Sequence, residues 1–417
     1  MSNTSSTYTQ PRRPMAVNLL NWAGEKFNLD SLPWLELTSQ SLVTAAESQS
    51  GLSDWGDDYF RQPLEKVVEA LNKEANLNLV GRYFFRQYLT RLLVNRLQLQ
   101  DSWQKNPEIL EIPVEKPLFV VGLFRSGTTF LHNLLSCDPH SRWLHVAEAL
   151  QPTPPPQKDT WEQDSRIQEV EKIIKFENSL TENFSTAHYI NVNRPAECSR
   201  IFEYGMVAHL FDFRAQVNSY SQWLQGQDLT PAYEYYRQQL QYLSWHWSEQ
   251  HWVMKAPAHL FALDALLKVF PDACIVHIHR DPLKVLPSCC SLSAMGRSRF
   301  TDTVDMDAIG IHWLDELAKM TELAIDFRAT ATPERFYDVH YLDFIKDPLG
   351  KVREIYDYFG YGCTSQMEAN MEQWYNNNRQ HKRGVHRYSL EQFGLDAGEV
   401  KERFAKYYET FSLIREN

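Results

Sequence analysis

The sequence predicts an α/β protein: a P-loop-like parallel β-sheet flanked by helices, with a helical N-terminal region and an aromatic-rich lid insertion. Three observations carry this prediction. From about residue 117 onward, short apolar runs alternate with segments of helical periodicity, the signature of parallel strands with helices on both faces. The first such run, "PLFVVGLF", leads directly into a glycine loop and a helix, the context in which backbone N–H groups converge on an anion. Ahead of both, residues 60–100 place Leu64, Val67, Val68 and Leu71, then Phe84, Tyr88, Leu92 and Leu93, at three- and four-residue steps, the spacing of buried helix faces.

In chain order, residues 1–15 form a polar, flexible tail without the apolar core of a signal peptide. Residues 16–113 are the helical region and 114–417 the main domain. The run at 117–124 is a buried strand, and "TTFLHNLLSC" continues as a helix through Phe130, Leu131, Leu134 and Leu135. A second strand is expected before Glu148, in "WLHVAE". Residues 150–250 open on "QPTPPP" and are rich in Trp, Tyr and Phe; such an insertion is placed to act as a lid or acceptor wall. The grammar then resumes. "HWVMK" is a strand ending at Lys255, "HLFALDALLKVF" is helical, and "CIVHIH" is a strand. "DPLKVLPSCCSL" opens a helix with Asp281 as N-cap and Pro282 at its first position. "RFYDVHY" supplies a further strand before the helix in "PLGKVREIYDYFG".

Composition narrows the function classes. A chain of 417 residues with 43% hydrophobic and 23% charged residues can bury a large core. Its net charge of -11 argues against a general binder of nucleic acid or anionic membrane, so an anionic ligand must be held by a local basic site. Six cysteines without a C-x-x-C pair indicate reduced thiols and a cytoplasmic setting, not a disulfide framework or a zinc site. No apolar run reaches the length of a membrane span. The 12 Trp and 20 Tyr fit either aromatic core or an aromatic-lined pocket, core being the commoner use.

The glycine loop poses the chemical question. "GLFRSGTT", residues 122–129, has Walker A spacing, but Thr128 stands where that motif has its lysine. Arg280 ends the "CIVHIH" strand and Ser288 lies about two turns into the next helix, so both can face the crevice at the strand ends. An arginine fork with a hydroxyl suits a second phosphate, apart from the one in the loop. The alternatives are a salt bridge from Arg280 to Asp281 or another acid, and a backbone hydrogen bond within its own helix for Ser288. His277 and His279 share a strand face but lack a third ligand, and are read as structural, with no metal expected.

Taken together, "GLFRSGTTFL", "MKAPAHL", "IVHIHRDPLKVLPS", "DVHYLDFIKDP" and "RGVHRYSLEQFGL" resemble the PAPS-dependent sulfotransferases, especially bacterial members related to tyrosylprotein and carbohydrate sulfotransferases. PAPS is 3'-phosphoadenosine 5'-phosphosulfate. The resemblance runs from about residue 116 to near the end of the sequence. It implies that Arg125, Ser126, Gly127, Thr128 and Thr129 cradle the 5'-phosphosulfate, so that no Walker lysine is needed. It assigns Arg280 and Ser288 to the 3'-phosphate, Tyr341 to the adenine region, and Lys382, Arg383 and Gly384 to a basic loop closing over the 3'-phosphate. Lys255 matches the lysine that stabilises charge on the bridging oxygen of the leaving phosphate.

Attack on sulfur requires the acceptor hydroxyl to lose its proton. Glu148 matches the glutamate base of this branch. His145 is the competitor, with His132 and His188 more distant, because cytosolic members use a histidine. If the strand persists through "WLHVAE", alternation puts His145 and Ala147 on one face; a turn before Glu148 breaks that inference. Catalysis is thus expected from Glu148, Lys255 and Arg125, with PAPS as co-substrate and a small-molecule, glycan or lipid hydroxyl as acceptor. A P-loop nucleotide or small-molecule kinase and a non-catalytic PAPS- or nucleotide-binding protein are the alternatives. Composition and motifs leave the oligomeric state open.

Overall fold

The computed structural model describes residues 13–29, 32–181, 191–247, 251–378 and 388–416. His188, Lys382, Arg383, Gly384 and most of the expected tail lie outside the described residues. Five parallel strands, β1 Leu118–Gly122, β2 Ser141–Arg142, β3 His251–Lys255, β4 Cys274–His279 and β5 Phe336–His340, form one sheet in the order β2-β3-β1-β4-β5. Every residue of β1, β3 and β4 is buried. That is why these strands read as unbroken apolar runs instead of alternating ones.

Strand pleating sends side chains to two faces. Leu118, Val120, Val253, Val276 and Ile278 face a smaller core with Leu131, Leu134, Ile355 and Met371. These come from the helices Thr128–Leu135, Pro348–Phe359 and Ser365–Asn377. Phe119, Val121, Met254 and Ile275 face the larger core. The long helix Leu79–Lys105 buries Phe84, Tyr88, Leu92 and Leu93 in that same core, so the N-terminal helices share it with the sheet. The 150–250 segment runs through the helices Ser165–Ser179, Ser199–Phe202, Asn218–Leu224 and Thr230–Ser244. Its Tyr204, Tyr220, Tyr236 and Tyr242 are fully buried; these four aromatics serve packing.

One expected element is corrected. The strand before Glu148 contains only Ser141–Arg142, and Val146–Leu150 is a short helix entered from an extended His145. The Glu148 carboxylate accepts the His145 N–H at 2.7 Å, satisfying a first-turn donor and starting the helix there. Strand alternation therefore does not relate His145 to Ala147.

Sheet order locates the crevice. After β1 the chain builds β2 and β3 on one side and then β4 and β5 on the other. The order reverses at the carboxyl end of β1, where the glycine loop begins, and open α/β sheets bind ligands at such a switch point.

Candidate active site

The loop is shaped by two left-handed residues, Arg125 at φ 71° and Gly127 at φ 103°. A non-glycine residue in that region is uncommon and marks a constrained turn. At Gly127 the constraint is also steric, since an added Cβ would sit 2.9 Å from Cδ2 of Tyr341. Gly127 caps the helix Thr128–Leu135 with no side chain to accept its N–H groups, so the first-turn amides are left to a ligand. The Ser126 Oγ is buried without a hydrogen-bond partner, while Arg125 and Thr129 are exposed.

The residues expected at a second anion lie one strand away. Arg125 Nε donates to Ser288 Oγ at 3.2 Å, and Arg280 Nη1 donates to the Arg125 carbonyl at 3.1 Å. The Arg280 guanidinium lies 3.9 Å from the centre of the Tyr341 ring, and that ring rests against Gly127. Arg125, Gly127, Arg280, Ser288 and Tyr341, dispersed over more than two hundred residues of chain, are thereby joined through direct contacts. Arg280 holds Glu416 through both carboxylate oxygens, Nε at 2.9 Å and Nη2 at 3.1 Å. The acid partner considered from sequence is therefore Glu416, not Asp281. Asp281 caps its helix by accepting from Leu283 N at 2.9 Å and also accepts from Glu416 N at 2.8 Å. A carboxylate gripped by a planar fork is the geometry that also receives a phosphate.

Lys255, at the end of β3, is buried with its ammonium 3.3 Å from Thr129 Oγ1 and paired with Glu197. Glu197 was not identified from sequence. It follows Pro195-Ala196 and precedes the Ser199–Phe202 helix without any periodic signal. Only the folded contact, with the backbone bond from Cys198 N to the Lys255 carbonyl at 3.0 Å, brings it to the strand end.

Glu148 is placed differently from the expected base. Its carboxylate is wholly buried, with Oε2 accepting from Arg142 Nη2 at 2.6 Å and Oε1 from the His145 backbone. Burial alone would raise its pKa, but Arg142 and His145 outweigh burial and hold the carboxyl down at about 2. Arg142 lies over Trp247 and Trp252 at 4.3 and 4.7 Å. A carboxylate so enclosed, with both oxygens engaged, orients Arg142 and caps a helix; it is not exposed to an acceptor. His145 packs against Trp143, Trp161 and Trp247, and burial lowers its pKa. His132 faces β3, 3.2 Å from the Val253 carbonyl, and burial brings its pKa down to about 3.

His277 and His279 do have a third potential ligand, Asp338, which sequence reading had not supplied. His279 Nε2 lies 2.8 Å from Asp338 Oδ1. The Arg328 guanidinium, however, donates to both Asp338 oxygens, at 2.5 and 2.8 Å, and lies 3.3 Å from His277 Nδ1. A fixed cation already neutralises the group, which accounts for it as a polar network of two buried histidines with the more exposed Asp338.

A glycine loop at the switch point of a parallel sheet, with uncapped helix-start amides and an arginine fork beside it, is the arrangement found in phosphate-loop group-transfer enzymes. The profile of the sulfotransferase family matches residues 117–365, and the chain belongs to that family. It is similar to the omega-hydroxy-beta-dihydromenaquinone-9 sulfotransferase Stf3 of Mycobacterium bovis and of Mycobacterium tuberculosis. Identity is 24% over 386 residues, covering 87% of this chain and 95% of either relative. Among solved structures it resembles the sulfotransferase STF1 of Mycobacterium tuberculosis H37Rv, 33% identical with a TM-score of 0.80 over 88% of this chain and 98% of that one. It also resembles STF9 of Mycobacterium avium, 29% identical with a TM-score of 0.85 over 92% and 98%. The protein is thus an enzyme, a sulfotransferase of the bacterial branch that draws its sulfuryl group from PAPS. No helix among the described residues is long and apolar enough to cross a membrane.

Proposed function

We propose that this enzyme moves the sulfuryl group of PAPS to the hydroxyl of an alcohol with an apolar body, giving a sulfate ester and adenosine 3',5'-bisphosphate. Arg125, Ser126, Gly127, Thr128 and Thr129 hold the phosphosulfate. Arg280 and Ser288 take the 3'-phosphate, Tyr341 borders the adenine, and Lys255 meets the charge that develops on the bridging oxygen. Lys382, Arg383 and Gly384, outside the described residues, are assigned to the 3'-phosphate by family resemblance alone, and the 150–250 segment walls the acceptor side. The observation that carries the donor assignment is the contact of Arg280 with both Arg125 and Tyr341, which supports reading its fork as a second anion group beside the loop. Stabilisation by fixed donors at the reacting group accounts for the catalysis, with no metal required of the protein.

The acceptor class rests on a neighbouring, partly open apolar cleft walled by Phe202, Val207, Leu224, Leu229, Ala256 and His259 among others. Two of its walls are the segments leaving Glu197 and Lys255, so an apolar body lodged there ends near the reacting atoms. Stf3 is named for a hydroxylated menaquinone, which agrees with an isoprenoid or other lipid-like alcohol. The test is transfer from labelled PAPS to long-chain alcohols, phenols and sugars, with ATP as a rival donor and with EDTA. Transfer confined to sugars would refute the apolar acceptor. ATP-dependent phosphorylation abolished by EDTA would refute sulfuryl transfer in favour of a kinase.

A further inference from the structure

We propose that Arg91, Arg200 and Arg214 form an oxyanion site separate from the donor loop, and that it takes a carboxylate, sulfate or phosphate group of the acceptor; the link to the acceptor rests on the sulfuryl-transfer reading above. The three arginines gather around one buried ring and two buried acids. The guanidinium groups of Arg214 and Arg91 lie 4.4 and 5.6 Å from the centre of the Tyr88 ring, and the Tyr88 hydroxyl donates to Glu203. Arg200 Nη1 stands 3.9 Å from Glu203 Oε2, and Arg214 Nη2 stands 3.8 Å from Glu177 Oε2. Arg299 Nη1 lies 3.9 Å from that same Glu177 oxygen, so the acid is divided between two cations. Burial alone would raise the Glu177 carboxyl, but Arg214, Arg299, Arg200 and Arg91 together hold it below its ordinary value, as cations converging on one point do.

Poor bonding sets this group apart from an ordinary ion-pair network. Guanidinium and carboxylate normally close to about 2.7–2.9 Å, with N–H donated straight to oxygen; these three pairs stand off at 3.8, 3.9 and 3.9 Å. Arg214 Nη1 and Arg91 Nε are buried with no hydrogen-bond partner, and Arg91 has no ion-pair partner among the described residues. The Arg214 side chain is only 5% exposed, too enclosed for bulk solvent to supply the missing bonds, and arginine does not give up its proton. Positive charge at such depth requires a counter-anion, and planar forks suit an oxyanion. Two contacts place the site beside the reacting centre. Phe213, adjacent to Arg214, packs its ring 5.1 Å from that of Phe124 in the glycine loop. Cys198, two residues before Arg200, donates its N–H to the Lys255 carbonyl at 3.0 Å. Arg200 and Arg214 both belong to the 150–250 segment, the side assigned above to the acceptor, so an alcohol that also carries an acid group would be held at both ends.

The experiment uses the full-length enzyme and Arg91→Met, which removes a charge that no carboxylate pairs with, and Arg200→Met as a second variant. With the donor site saturated by adenosine 3',5'-bisphosphate, sulfate is compared with chloride at equal ionic strength and the melting temperature is followed. Sulfate should stabilise the wild type beyond chloride and should not do so in either variant; in chloride, Arg91→Met should melt no lower than the wild type. A lower melting temperature for Arg91→Met in chloride, or an equal response of all three proteins to sulfate, would mark the cluster as structural and overturn the site. A second arm separates an anion carried by the acceptor from a free one, by comparing KM for 12-hydroxydodecanoate with KM for 1-dodecanol. The hydroxyacid should have the lower KM in the wild type by roughly tenfold or more, and Arg91→Met should lose that preference with kcat little changed. Stabilisation by sulfate without the preference would overturn the acceptor assignment and leave a site for a free oxyanion; this first arm also decides alone if neither probe is turned over. Failure of the donor reading shows separately, because the sulfate arm can be repeated without nucleotide in an Arg280→Ala background.

Discussion

On the donor-site reading proposed above, Arg280 carries the discrimination between a nucleotide with a 3'-phosphate and one without. Its fork is held by the Tyr341 ring and the Arg125 carbonyl, so it offers charge-assisted bonds without first being ordered. Adenosine 3',5'-bisphosphate should therefore raise the melting temperature well above the shift given by AMP at equal concentration. Arg280→Ala should remove most of that difference; equal shifts in the wild type would refute the role. Glu148 makes a stability prediction instead. Glu148→Gln leaves Arg142 buried without its counter-charge, a change that typically costs about 3–5 kcal/mol. The Glu148 carboxyl is held below its ordinary 4.5, at about 2. Its contribution is therefore full above pH 4.5 and is lost as pH falls toward 2. Urea unfolding at neutral pH should show the large loss in the variant, and the gap to wild type should narrow in acid. An unchanged midpoint would show that the buried pair does not matter for folding.

Elements were legible where one local rule governed them. β1, β3 and β4 announced themselves as buried runs because both sheet faces are covered, while the edge strand β5 alternates buried and more exposed residues; Asp281-Pro282 announced its helix through cap chemistry. The segment around Glu148 was misread because a helix of five residues carries no periodicity, and its start depends on a side-chain contact to a backbone N–H. The partnership of Glu197 with Lys255, and of Glu416 with Arg280, spans 58 and 136 residues of sequence; neither has a local signal. The loop itself was legible because glycine spacing and strand–loop–helix order are both local. Its geometry makes a further prediction. Gly127→Ala adds a Cβ at a left-handed position against Tyr341, with strain of order 1–3 kcal/mol, and nucleotide affinity should fall roughly ten- to a hundredfold. Gly360→Ala, also left-handed but with nothing within 4 Å of the added Cβ, should leave binding unchanged. Equal effects on nucleotide affinity would refute the steric argument.

At the scale of the molecule, a large core has swallowed many imidazoles. Burial lowers His132 and His259 to about 3, and His209, His251 and His279 to about 4; His312, beside Asp212, is raised instead. A lowered folded pKa means that the unfolded chain takes up protons the folded one refuses, so stability declines as pH falls below 6.5 toward about 4. Together these residues should cost several kcal/mol by about pH 4, before the carboxylates begin to titrate in earnest. Denaturant midpoints should drop steadily across that window. A flat profile down to pH 4 would mean that the histidines titrate normally in the folded state.

The grip of Arg280 on Glu416 has a kinetic meaning. Glu416 stands six residues beyond the Ala405–Thr410 helix, so it is a tethered anion, present at the fork at an effective concentration on the order of millimolar however dilute the enzyme is. With Arg280 taking the 3'-phosphate as proposed above, donor binding is an exchange of one anion for another, and the fork need not lose a partner at either end of the cycle. The same tether works in reverse after transfer: each time the 3'-phosphate of the product lifts, a carboxylate is at hand to take its place, which hastens departure. Glu416→Gln should accordingly tighten adenosine 3',5'-bisphosphate binding and slow its dissociation, leave AMP binding unchanged, and have no effect in an Arg280→Ala background; stopped-flow displacement of the bound product reads this directly.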